Sequence, residues 1–161
     1  MPPRARHTGR VSVPPGLYAP FRPRAARRVA IALGVVSLVG LLALAVFVPS
    51  ATASPTRLVD RLGIAAIAAA IAWFCYRQAT VSAVPDEAGI TVRNLVITTR
   101  LEWAAVVDVR FGEGRPWVQL DLDDGATLAV MGVQRSDGDR ARAEARRLAT
   151  LVAIHGPAAN D

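Results

Sequence analysis

A chain of 161 residues that is 52% hydrophobic but only 6% aromatic is too apolar and too poor in rings for an ordinary compact soluble domain. It fits one small domain plus membrane helices rich in Ala, Val and Leu. Its single cysteine, Cys75, excludes an internal disulfide framework and any multi-cysteine zinc site. A formal net charge of +6 and a pI near 11.1 invite a nucleic-acid reading, which stands or falls on where the charge lies.

The charge is segregated. All 19 basic residues are arginine, which together with the many alanines fits a high-GC coding bias better than selection of each guanidinium. Residues 1–28 carry seven arginines and no acid, residues 29–85 are net +2, and residues 86–161 set nine arginines against twelve acids for −3. The chain is a basic tail, an apolar middle and a mildly acidic C-terminal part, with no groove-reading element or aromatic platform for nucleic acid, and none is expected to bind.

Residues 1–28 are rich in arginine and proline without helical or strand period, and read as a disordered tail. Residues 29–48, Val29 to Val48, hold no charge and span ~30 Å as a helix, the thickness of a bilayer core. This is the first expected transmembrane helix. A positive start, an apolar run and Ala51-Thr52-Ala53 also mimic a cleavable signal peptide, but the run is longer than a typical signal core, so retention is expected. Residues 49–61 form a short linker. Residues 62–76 are a second apolar run, only ~22 Å long as a helix. Snorkelling by Arg61 and Arg77, with Trp73 and Tyr76 near the interface, would help it cross. Ala65, Ala66, Ala69 and Ala70 allow close packing on Gly34, Ser37 and Gly40 of the first helix. The arginine excess before the first helix places the tail in the cytoplasm, and two crossings return the C-terminal part to the same side of a bacterial plasma membrane.

From residue 84 to 156 the pattern becomes that of an α+β domain. Short strands are expected at Gly89–Val92, Leu95–Arg100 and Val106–Phe111, with a turn at Arg93-Asn94 and an irregular or single helical turn at Glu102–Ala105. Val118, Leu120 and Leu122 alternate with Gln119 and Asp121 as one buried strand face, and Asp124-Gly125 is a strong hairpin signal before a returning strand at Thr127–Val133. Ser136 and Asp139 resemble a capping box. Ala141, Ala145, Leu148, Leu151 and Val152 then make the apolar stripe of a closing helix that stops at Gly156-Pro157, with residues 157–161 irregular. The product is a small antiparallel sheet or partial barrel capped by a C-terminal amphipathic helix.

Gly89-Ile90-Thr91-Val92-Arg93-Asn94, Trp103 with Val106, Trp117, Asp124-Gly125, Met131-Gly132-Val133-Gln134-Arg135, Asp137-Gly138 and Arg147-Leu148 together resemble the bacterial pleckstrin-homology (PH) domain family. More closely, the arrangement resembles small actinobacterial membrane proteins with two helices before such a domain, a group that includes the low-molecular-weight protein antigen. Ala104-Ala105 departs from the more polar pair expected after the tryptophan, and the arginine tail looks like an addition. The resemblance implies a PH-like fold and a non-enzymatic role.

The residues agree with the absence of catalysis. His7 and His155 have no nucleophile and acid beside them in sequence, and Cys75 lies in an apolar helix, where a thiol is unreactive. Asp121, Asp123 and Asp124 miss the spacing of a calcium loop, and Gly112-Glu113-Gly114 lacks the Lys and Ser/Thr of a phosphate loop. No metal or cofactor is therefore expected. Headgroup binding by eukaryotic PH domains needs several basic residues around the first hairpin. Here that hairpin has Arg93 and, further off, Arg100, on a domain of net negative charge. The expected function is a membrane-anchored protein- or peptide-interaction module, touching its partner through the sheet surface and the edge of the closing helix, with Arg115 and Trp117 as candidate contacts. Arg22, Arg24, Arg27 and Arg28 are the candidate contacts to anionic lipid. The alternative is an accessory subunit of a transporter or envelope enzyme, acting through the small-residue faces of its helices around Ala66 and Ala70.

Overall fold

The computed structural model describes residues 16–47, 56–112 and 114–156. The expectations of disorder at residues 1–15 and 157–161 lie outside the described residues, as does most of the expected linker.

Two long helices come first, α1 (Arg24–Phe47) and α2 (Thr56–Ala79). Each contains a stretch of 21 residues long and apolar enough to cross a membrane, about 32 Å of helix. They pack antiparallel. Gly34 of α1 meets Cys75 of α2, where a Cβ on Gly34 would lie 3.2 Å from the cysteine Cβ, and further along Leu38, Leu41 and Leu42 face Ile64, Ala65 and Ala68. The start of α1 and the end of α2 therefore lie at the same end of the pair, next to the C-terminal domain. α1 starts five residues before its expected bounds of 29–48, and α2 extends past its expected bounds of 62–76 at both ends. Charge-free runs mark only the part of a helix that apolar surroundings require, whereas the helical backbone continues into the flanking arginines.

The C-terminal domain holds two three-stranded antiparallel sheets, with strand orders β1-β2-β3 and β4-β5-β6, and no closed barrel. β1 (Ser82–Pro85), β2 (Gly89–Arg93) and β3 (Thr98–Glu102) form the first. A single 3-10 turn at Trp103–Ala105 leads to β4 (Val106–Arg110), β5 (Trp117–Leu122) and β6 (Thr127–Gln134), and α3 (Asp139–His155) closes the domain. β1 carries no clear alternation and falls partly before the expected domain start at residue 84. The first tight turn lies at residues 94–97, rather than at Arg93-Asn94, because Arg93 still pairs with Thr98. Gly89 pairs with Glu102 so closely that a Cβ there would lie 2.0 Å from the Leu101 carbonyl oxygen. The Asp124-Gly125 hairpin forms as expected, Gly125 taking φ 82°.

Ile90, Val92, Trp103, Val106, Val118, Leu120, Val130, Leu148 and Leu151 make one core between the sheets and α3. Asn94 ties the sheets together at one corner. Its side-chain amide donates to the Ala129 carbonyl (2.7 Å) and its oxygen accepts the Met131 N–H (3.1 Å), completing β6 as a neighbouring strand would.

The expected disordered tail is corrected over its last part. Residues 16–23 fold onto the domain, with Phe21 fully buried, Leu17 buried and a backbone bridge between Phe21 and Ala83 of β1. The Arg147 guanidinium lies 3.9 Å from the centre of the Phe21 ring and donates to the Gly16 carbonyl at 2.7 Å. Gly132 of β6 leaves room for this segment, since a Cβ there would come within 3.1 Å of the Phe21 carbonyl oxygen. The cause is local chemistry that composition hides: Leu17, Tyr18 and Phe21 supply apolar surface inside an arginine- and proline-rich stretch.

Candidate functional site

The end of the domain next to the helix pair is built by long-range contacts. Asp137, in the 3-10 turn between β6 and α3, accepts the backbone N–H groups of Arg24 (2.9 Å) and Ala25 (2.8 Å). A carboxylate at these otherwise unpaired donors satisfies the helix terminus and complements its dipole, which is why α1 starts five residues before the apolar run. Ser136 makes no cap; Gly138 precedes α3, with no side-chain bond to its first turn. At the other helix, Arg77 in the last turn of α2 donates to the carbonyls of Leu95 (2.7 Å) and Val96 (2.8 Å) in the β2–β3 turn.

The far end is polar. Asp86, between β1 and β2, accepts the Ala88 and Gly89 N–H groups at 2.9 Å and pairs with Arg100 at 3.0 Å. Burial pushes its carboxyl up, but these hydrogen bonds and the guanidinium outweigh that and hold it below the ordinary value. Arg100 is thereby occupied within its own sheet.

The domain's recessed surface lies between β4 and α3. Among the described residues β4 pairs only with β5, so it is an edge strand. Val109 and Phe111 face Ala145 and Ala149 across a recess of about 300 Å³, bordered by Arg142 and Arg146. A neighbouring recess of about 340 Å³ continues past Phe111 to Gly112, Arg135 and Gly138. Arg110, on β4, has its guanidinium held by the Asp121 carboxylate, which raises its pKa further and leaves it charged at every relevant pH. The recess therefore combines an apolar floor, an edge strand and a rim that carries Arg146 and the Arg142–Asp139 ion pair. It has no nucleophile with a base beside it, and no group of three or more His, Cys, Asp or Glu gathers among the described residues.

Trp103 is buried, its indole N–H donating to the Asp86 carbonyl at 2.8 Å, whereas Trp117 is half-buried opposite Gln134. The Arg115 guanidinium is held by the Gln119 side chain. The loop carrying Arg115 joins the second recess through Pro116, whose carbonyl accepts the Arg135 N–H at 2.8 Å. Arg115 and Trp117 thus border the recessed surface without lining it. Sequence reasoning missed its lining residues; the cue was Phe111 directly after a strand and before Gly112. Arg22, Arg24, Arg27 and Arg28 are all exposed at the start of α1. His155 is a structural residue: its ring stacks on Trp103 and its Nε2 lies 2.6 Å from the Tyr18 hydroxyl. Cys75 is free and buried against α1, while Ala66 and Ala70 are exposed.

Two sheets and a closing helix in this order define a PH-like domain, and residues 82–150 match the bacterial PH domain family. Fold and match agree on a PH-like domain, and PH domains are generally interaction modules rather than catalysts. Uncharacterized proteins of Mycobacterium bovis and of Mycobacterium tuberculosis are 37% identical over 70 residues, covering 44% of this chain and 46% of each relative. The chain thus aligns over less than half the length of these relatives. No solved structure matches.

Proposed function

We propose that this protein is a non-enzymatic interaction module held at the cytoplasmic face of a bacterial plasma membrane. In this reading α1 and α2 cross as a hairpin, and the PH domain binds an extended, acidic and apolar protein segment along β4 and α3. The observation that carries it is the β4–α3 recess. The β4 edge, which pairs with no further strand among the described residues, offers backbone pairing, Val109, Phe111 and Ala149 offer apolar contact, and Arg146 supplies the charge, Arg142 being paired with Asp139. Arg115 and Trp117 extend the contact at the adjoining loop. Arg22, Arg24, Arg27 and Arg28 face anionic lipid at the same membrane side, at about 1 kcal/mol each near the surface.

Photocrosslinking in native membranes tests the recess. A benzoylphenylalanine in place of exposed Ala149 should give a discrete protein adduct that Arg146→Glu abolishes. The same probe in place of Asp124, at the β5–β6 turn, should give none. No adduct at position 149, or one indifferent to the charge reversal, contradicts the proposal.

A second reading, an accessory subunit acting through its helices, draws on a groove of about 480 Å³ along the helix pair, lined by Leu38, Leu41, Leu42, Ile64, Ala65 and Ala68. Leucines in place of Ala66 and Ala70 should disrupt assembly in this reading and leave the Ala149 adduct intact in the first.

A further inference from the structure

We propose that the β2–β3 turn is a second membrane contact, its tip residues Val96 and Ile97 inserted at the lipid headgroup–acyl boundary beside the end of α2. The proposal rests on the reading of α2 as a membrane-crossing helix. Val96 is 72% exposed and Ile97 66%, the former more exposed than any other large hydrophobic residue of the folded domain. Two adjacent apolar side chains at a turn tip are costly in water unless something covers them.

The topology says what covers them. α2 ends at Ala79 and β1 begins at Ser82, so β1 runs away from the helix. β2 returns, bringing Arg93 opposite Ser82, and the turn at 94–97 is delivered back to the helix end. Arg77 fixes the level, because one guanidinium bonds both the Leu95 and Val96 carbonyls. Trp73 and Tyr76, 59% and 61% exposed, lie within about one helical turn of Arg77. Aromatic side chains beside a snorkelling arginine mark the membrane interface. Arg24, Arg27 and Arg28 lie at this same end of the antiparallel pair. The opposite turn of the same sheet, next to β1's far end, carries Asp86 and Glu87 instead. The sheet is thus apolar at its membrane end and acidic at its water end. The bilayer is the one occupant whose position the chain itself dictates here.

The test uses the full chain with Cys75→Ala and single cysteines bearing an environment-sensitive fluorophore at Val96→Cys, Glu87→Cys or Leu42→Cys. The protein is reconstituted into vesicles of phosphatidylethanolamine and phosphatidylglycerol doped with chain-nitroxide phosphatidylcholine. The expected result is strong quenching at positions 96 and 42, several-fold above that at 87. If position 42 is quenched but 96 behaves like 87, whether both are quenched or neither, the turn contact is overturned and the anchor stands. If position 42 is not quenched, the anchor reading fails and the turn contact falls with it.

Discussion

Asp86 holds the end of the first sheet remote from the helices through three partners, two N–H groups and one guanidinium. Its carboxyl titrates below the ordinary carboxylate value in the folded chain. A group with a depressed folded pKa stabilises the fold fully above its unfolded pKa, and that contribution is lost as pH falls through the folded value. Asp86→Ala should therefore lower the melting temperature at neutral pH, and its gap from the parent should close as the pH drops below the carboxylate range. Thermal scans of both proteins across that range check it; a pH-independent gap would mean that the carboxylate charge contributes nothing. Asn94 and Asp137 work similarly, each satisfying two backbone groups. Of these three roles only that of Asp86 has a local signature, an aspartate two and three residues before the N–H groups it accepts. Asp137 bonds residues more than a hundred positions away, and no periodicity encodes such a pairing.

At the level of elements, what alternates or repeats could be read directly. β5, the β5–β6 turn and the apolar face of α3 follow from period two, Asp-Gly and period 3.6. β1 could not be read, being four residues long with a proline. Nor could the strap at residues 16–23, where Phe21 is fully buried among charged and proline neighbours. Its signal was three apolar side chains, Leu17, Tyr18 and Phe21, within five residues. Phe21→Ala should cost about 3–5 kcal/mol, as for other fully buried rings. Denaturation of the detergent-solubilised chain measures it, and an unchanged stability would show that the strap is no part of the fold. The recess between β4 and α3 was visible only in outline, because its walls come from elements far apart in the chain.

For the whole molecule, the basic pI belongs to the segment before and at the start of α1, while the folded domain is slightly acidic. The strap, the Asp137 cap and the Arg77 bonds join the domain to both helices at one end. In the proposed reading, a domain fixed in this way presents one face to lipid and leaves the β4–α3 recess open to the cytoplasm. In the same reading the helices form a hairpin with the domain on the cytoplasmic side. Parallel fusions of green fluorescent protein and alkaline phosphatase after Asp161 measure it. A cytoplasmic domain gives a fluorescent, phosphatase-inactive pair; phosphatase activity without fluorescence would place the domain on the opposite side.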